Sequence, residues 1–341
     1  MKRLIVIASN SCLTFSAVIA IAVGLYWEPA VQLGRKRHWS AELLMIQAKA
    51  CPVRKQPLVY WMGDSTLWSL KQKMYPQLIS RETEPFLDHC IVQTPGLDYF
   101  NYFTMMGPAL KFKPDLVVTI ANLRMFAPHR DDAVFRDLMP ALSASELPRA
   151  ALLPLYARDL TVPRLLLDRV ISMDGVKRVF IFLDGLRAMF QESERWTLLG
   201  PRTPSLSVEQ QRRRTFRTLM AAYDEELTEG HPVVQMMGAT VDMARRSGVK
   251  SLVIVVPIPY ELLAKDGFYD PLVSWRRIDA LRRTVTRNGG CLIDLHATLS
   301  PEEFSDIAGH YNRQGAVHLA RVVKPVLVDM LLTGNQRCPA L

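Results

Sequence analysis

Short-spaced metal and dithiol signatures are missing from this sequence: no Cys-x-x-Cys pair and no His-Glu-x-x-His run occurs in its 341 residues. Structural zinc, thiol redox work and zinc-dependent hydrolysis therefore have no local motif to stand on. Internal repeats and low-complexity tracts are absent too, which removes solenoids and polar disordered tails. Charged residues make up only 22% of the chain and hydrophobic residues 49%. That balance suits a folded domain and fits neither a disordered chain nor a polytopic membrane protein. The length suits one large domain or two small ones.

Charge is present in excess but is not organised as a nucleic-acid motif. The formal net charge is +9, yet no basic cluster is interleaved with stacking aromatics, so no nucleic-acid partner is expected. Between Arg149 and Arg217 thirteen basic residues face seven acidic ones, which places +6 in one central segment. An anionic membrane surface, a polyanionic glycan, or the solvated faces of ordinary amphipathic helices would each account for it.

One long uncharged run stands out, Leu4 to Trp27, preceded by Lys2 and Arg3. As a helix its 24 residues would span about 36 Å, enough for a bilayer core. The run reads as a membrane-targeting segment, with an uncleaved anchor over residues 1–30 favoured over a removed signal peptide cut near Ala20-Ile21-Ala22. Arg35, Lys36 and Arg37 beyond the far end split the charge rule for orientation. The expected arrangement is an N-terminus in the cytoplasm and a globular domain outside the inner membrane. Cys12 lies in the anchor; Cys51, Cys90, Cys291 and Cys338 suit either two disulfides in an oxidising space or four buried thiols.

After a juxtamembrane linker over 31–56, short apolar runs alternate with helical patterns, the signature of a parallel sheet flanked by helices. The runs are Leu58 to Met62, Cys90 to Gln93, Leu116 to Ile120, Ser251 to Val256 and Cys291 to Leu295. Their richness in Val, Ile and Leu fits strands buried on both faces. The sequence thus predicts an α/β fold over 57–335, a doubly wound, mainly parallel five-stranded sheet. A helical insertion over about 130–245 interrupts it, and Val179 to Leu183 is either a sixth strand or a buried helix turn. Ser207-Val208-Glu209-Gln210 and Ser300-Pro301-Glu302-Glu303 have capping-box spacing and predict helix starts.

Chemistry concentrates at the ends of these strands. Gly63-Asp64-Ser65-Thr66 directly follows the first strand and precedes a helical pattern, which puts a serine hydroxyl in the crevice where α/β sheets bind ligands. A serine needs a base to take its proton. Among seven histidines His310 has the most suitable setting, beyond the last strand and just before an apolar closing helix, with Asp306 close enough to orient it. His318 falls inside that helix and reads as a surface or packing residue. His89, His129, His231 and His296 have no comparable setting. Gly96 follows the second strand and Asn122 the third; each suits either a tight turn or an oxyanion contact.

In these blocks the chain resembles the SGNH/GDSL hydrolases over roughly residues 57–125 and 250–333. Gly63-Asp64-Ser65 matches the first block, with Thr66 where leucine is usual. Gly96 and Asn122 fall at the second and third blocks, but Ile120 and Leu123 replace that third block's glycine and aspartate. Asp306 and His310 have three residues between them instead of the usual two, and Asn312 and Gly315 match the continuation into the last helix. The resemblance implies a Ser65–His310–Asp306 site with an oxyanion hole from the Ser65 and Gly96 N–H groups and the Asn122 amide, without metal or cofactor. It further implies an esterase or O-acyltransferase acting on cell-envelope or exported polysaccharide, alongside a multispanning membrane-bound O-acyltransferase partner. A non-catalytic scaffold that binds polysaccharide or that partner is the alternative, with Arg212 to Arg214 as a candidate contact patch in either case.

Overall fold

The computed structural model describes residues 51, 54–64, 66–67, 75–93, 99–126, 227–265, 269–305, 309–332 and 338, all of which belong to one unit of the chain. The candidate anchor, most of the linker and of the insertion, the Ser207 capping box, the run at 179–183 and the Arg212–Arg214 patch lie outside the described residues. Among the described residues no helix is long and apolar enough to cross a membrane.

Each of the five apolar runs is a strand: β1 Leu58–Gly63, β2 Asp88–Gln93, β3 Leu116–Ala121, β4 Lys250–Val255 and β5 Cys291–Asp294. They form one sheet in the order β2-β1-β3-β4-β5, and every pairing is parallel. β1 and β3 are buried at every position, as continuous β-branched and aromatic runs require when helices cover both faces. On one face Leu58, Tyr60, Met62, Val117, Val253 and Leu292 pack together. Val59, Trp61, Val118, Ile254 and Ile293 point the other way into a second core layer, the alternation dictated by the pleat.

The covering helices are α1 Tyr75–Thr83, α2 Tyr99–Lys111, α3 Pro232–Arg246, α4 Tyr260–Lys265, α5 Pro271–Arg287 and α6 Arg313–Leu332. α3 lies within the range assigned to the insertion, but it packs against α2 and α5 as a sheet-covering helix and leads into β4. Pro232 at its first turn and His231, whose Nδ1 accepts from Val233 N at 3.3 Å, set its start.

Two disulfides answer the cysteine question: Cys51 joins Cys90 and Cys291 joins Cys338, with Cα separations of 5.0 and 5.1 Å. The first ties the chain entering β1 to β2, and the second ties the C-terminal end to β5. Asp88 and Asp115 secure the same entry, accepting from the backbone N–H groups of Gln56 at 2.7 Å and Leu58 at 2.7 Å.

The connection β1–β2 runs to one side of β1, and the chain then crosses back so that β3 lies on its other side. The order therefore reverses between the carboxyl ends of β1 and β3. In doubly wound sheets this is where a crevice opens, and Asp64 after β1 meets Asn122 after β3 there.

Candidate active site

The turn after β1 is built by Asp64. Its carbonyl accepts from Leu67 N at 3.0 Å, and its Oδ1 accepts from Thr66 N at 2.9 Å and Thr66 Oγ1 at 2.6 Å. A short acidic side chain that bonds its own backbone two residues on stabilises such a turn locally. Gly63 is required because a Cβ there would overlap the Leu67 side chain, which folds back into the core. Ser65 itself lies outside the described residues, as do Gly96 and Asp306.

Across the reversal point Asn122 Nδ2 donates to Asp64 Oδ2 at 3.2 Å. Both side chains are buried, at 3% and 5% exposure, so the bond aligns the amide and the carboxylate away from water. Asn122 O accepts from Met125 N at 2.8 Å and opens the 3-10 turn Leu123–Phe126. Asn122 thus has the turn-cap role and, through its side chain, a tie to the Ser65 turn. Leu123, which replaces an aspartate in the third block, is packed in the core at 1% exposure.

His310 is half-buried and sits on a closed loop. Phe304 and Tyr311 form an antiparallel bridge, Ser305 N donates to His310 O at 2.7 Å and Asn312 N to Glu303 O at 2.8 Å. Gly309 holds φ at +86°, close to the carbonyl of Pro257 just past β4, a conformation that suits glycine. The base of the loop is locked by Asn312, whose Oδ1 caps α6 by accepting from Gln314 N at 2.9 Å and Gly315 N at 3.2 Å. A Cβ at Gly315 would come within 2.6 Å of Glu303 O, which explains glycine at that position.

Tyr311, adjacent to His310, packs its ring 5.9 Å from that of Tyr75 at the start of α1. Burial, and after it the neighbouring carboxylate of Asp64, raises the phenol pKa of both tyrosines. The Asp64 carboxylate thus acts on both rings, and on Tyr311 the neighbouring Tyr75 acts before it. Tyr99, on α2, is shifted the same way by burial and by Asp64, against its hydrogen bond with Thr119.

The Ser300 motif makes only a 3-10 turn, Pro301–Glu303, where the spacing had predicted a helix. The Glu303 carboxylate accepts from Ser300 N at 2.9 Å and also from His318 Nδ1 at 2.9 Å. Burial would raise the Glu303 carboxyl, but these partners hold it below the usual carboxylate range. His318 is therefore a surface residue with a specific task, bracing the His310 loop against α6.

Sequence reasoning passed over His296. At the carboxyl end of β5 its Nδ1 stands 2.7 Å from Asp294 Oδ1 and its Nε2 3.0 Å from the Tyr269 hydroxyl. With Asp294 accepting at Nδ1, the ring donates there and accepts from the tyrosine at Nε2. Burial pushes Asp294 upward, but the His296 side-chain and backbone hydrogen bonds and Arg282 carry its carboxyl below its ordinary value. The signal was Asp294-Leu295-His296 across a strand end, where residues two apart share a side. His89 has only a structural part: its Nδ1 accepts from Trp61 Nε1 at 3.0 Å and its Nε2 lies 2.7 Å from Thr83 Oγ1. Burial lowers it to about 4, against the opposing pull of Asp88. No metal-ligating cluster of three or more His, Cys, Asp or Glu occurs among the described residues.

No protein-family model and no curated protein matches the chain. Among solved structures it is similar to a variant of an acetyl xylan esterase from Geobacillus stearothermophilus, at 8% identity over 78% of this chain and 92% of that one, TM-score 0.39. A GDSL-like lipase from Parabacteroides merdae matches at 9% identity over 80% and 95%, TM-score 0.40. An alpha/beta hydrolase from the metagenome of Lake Arreo, Spain, matches at 11% identity over 79% and 94%, TM-score 0.37. All three scores fall below 0.5, so strand order, register and the residues at the strand ends define the fold here.

Proposed function

We propose that the chain is an SGNH-type enzyme that moves an acyl group through an ester on Ser65. Ser65 Oγ attacks the acyl carbonyl while His310 takes its proton, and His310 then returns that proton to the departing alcohol oxygen. A water or a sugar hydroxyl next attacks the acyl-serine, giving hydrolysis or O-acyl transfer, and regenerates Ser65 with the same histidine as base and acid. Asp306 orients the imidazole, and the N–H groups of Ser65 and Gly96 with the Asn122 amide hold the oxyanion. The observation that carries this reading is the buried Asp64–Asn122 bond, which joins the serine turn to an amide donor at the reversal point.

The substrate class proposed is acylated cell-envelope or exported polysaccharide. The support is the apolar run at 4–27, read as an inner-membrane anchor with the domain outside, together with two disulfides that suit an oxidising compartment. A membrane-bound O-acyltransferase is the partner proposed, with Arg212 to Arg214 as its contact; neutralising them is expected to weaken that association in a pull-down.

The test is labelling of the full chain in detergent with a serine-directed fluorophosphonate. Labelling of the wild type that vanishes in Ser65→Ala and His310→Ala supports the activated serine. A folded wild type that takes no label, alone or with its membrane partner, sinks the acyl-transfer reading in favour of a non-catalytic scaffold, which the buried Leu123 in place of an aspartate would also suit.

A further inference from the structure

One chain of ring contacts starts in β1 and ends beside His310. Trp61, two residues before Gly63, lies 5.9 Å from the Tyr75 ring, edge to face at 78°, and Tyr75 lies 5.9 Å from Tyr311, tilted at 47°. All three are buried and belong to the core layer that also holds Leu67 of the serine turn. Aromatic pairs at such separations and angles gain from their geometry as well as from burial, so each ring sets the place of the next. The β1 end of the chain is fixed. Trp61 Nε1 donates to His89 Nδ1 at 3.0 Å, and the two rings stack with centroids 6.3 Å apart.

The His310 loop therefore has two separate ties. Its base is joined to α6 by polar bonds, through the Asn312 cap and through His318 on Glu303. The other tie is the ring chain, which leads to β1 and is carried by Tyr311, bridged to Phe304 across the loop. Gly315 lets the first turn of α6 pass close beneath this ring, since a Cβ there would lie 2.9 Å from Tyr311 Cβ. The phenol oxygens take no part in the tie. Both are buried and have no hydrogen-bond partner among the described residues. A buried hydroxyl without a partner gives up its hydration for nothing, so the ring is what the loop uses. Burial in the first place keeps both phenols protonated, and neither is a base.

We propose that Tyr75 and Tyr311 are positioning residues for the reaction put forward above, Tyr75 acting through Tyr311 to hold the His310 loop in register with β1 and the turn that follows it. Neither ring touches the reacting atoms. Register matters because a general base works only within hydrogen-bond reach of its proton, and a misplacement of about 1 Å by a distant change costs up to about a hundred-fold in rate. The polar tie to α6 fixes the loop at one end only, so loss of the ring chain frees the His310 side of the loop while α6 stays capped.

The inference rests on the acyl-transfer reading, and its test separates the two. Full chain in detergent is compared as wild type, Tyr75→Leu, Tyr311→Leu, the double leucine variant, Tyr75→Phe and Tyr311→Phe, by turnover of p-nitrophenyl acetate and by amide hydrogen exchange. Each leucine variant is expected to lower kcat about ten-fold or more with KM within about two-fold of wild type. The double variant should be no slower than the slower single one, because both remove the same chain of contacts. The phenylalanine variants keep the rings and should keep the wild-type kcat. The Ser305 and Asn312 amides, which donate across the loop, should exchange faster in Tyr75→Leu and at the wild-type rate in Tyr75→Phe. That exchange pattern without any turnover in the wild type would keep the tie and overturn the acyl-transfer reading. Unchanged exchange at both amides in a folded Tyr75→Leu protein overturns the proposal. So do leucine variants with wild-type kcat, losses that multiply in the double variant, or an equal loss in the phenylalanine variants, which would make a hydroxyl the working group. Where leucine prevents folding, methionine, which adapts to irregular gaps, gives the same comparison.

Discussion

Two histidines stand at the carboxyl edge of one sheet, and they are furnished very differently. His296 has a carboxylate on one ring nitrogen and a phenol on the other, all within hydrogen-bonding distance. His310 sits on a glycine-relieved loop, its backbone bonded to Ser305 and its neighbour Tyr311 packed on α1. By local geometry His296 resembles a catalytic base more closely. Its strand, however, is the outermost one, separated from β1 by β3 and β4, about 14 Å at ordinary strand spacing. Beside His310, by contrast, Tyr311 packs against Tyr75 at the start of α1. On the proposed reading, a well-oriented Asp–His pair serves catalysis only where the topology brings it to the reversal point of the sheet.

Substitutions can break this comparison. The largest effect is expected from Ser65→Ala and His310→Ala, each lowering ester turnover by about a thousand-fold or more, since members of one catalytic unit fail together. Steady-state kinetics on p-nitrophenyl acetate measures it, and a similar loss in His296→Ala would reverse the assignment of the two histidines. Next comes Asn122→Ala, with a fall in kcat of about a hundred-fold or more from one missing oxyanion donor. An unchanged kcat would reduce the Asp64–Asn122 bond to a structural tie.

Stability sharpens the same contrast. The disulfides close loops with sequence separations of 39 and 47, and opening either should cost about 2–4 kcal/mol. Denaturant unfolding of Cys90→Ser and Cys338→Ser against wild type reads this directly, and an unchanged midpoint would remove the disulfides from the stability account. His89 predicts a pH effect with a definite sign. Its folded pKa is about 4 against an ordinary 6.5, so protonation favours the unfolded chain. Its contribution is intact above about 6.5 and is lost as pH falls toward 4, by up to about 3 kcal/mol. A His89→Gln protein should show a flatter stability profile across that window. The smallest effect belongs to His296→Gln, with turnover of the small ester within about three-fold of wild type.

Much of the domain was legible in advance because its strands are buried on both sides. The β1 run Leu58–Gly63 and the β3 run Leu116–Ala121 announce themselves as uninterrupted apolar stretches, and the turn residues after them follow by adjacency. The capping box at Ser300 is formed but opens only the three-residue 3-10 turn Pro301–Glu303, whose Glu303 is engaged by His318 from α6 as well as by Ser300. His296 was passed over because its phenol partner is 27 residues upstream, a separation that leaves no local pattern.

By itself the sequence determined the alternation of strands and helices, the serine turn with its glycine, and the glycine and asparagine of the His310 loop. Those features are governed by burial periodicity and by backbone conformations that act over a few residues. Tertiary structure alone decided the pairing of four cysteines, the bond between Asp64 and Asn122 across 58 residues, and the meeting of His296 with Tyr269. These depend on strand order, and strand order follows from how the helices cover two faces at once.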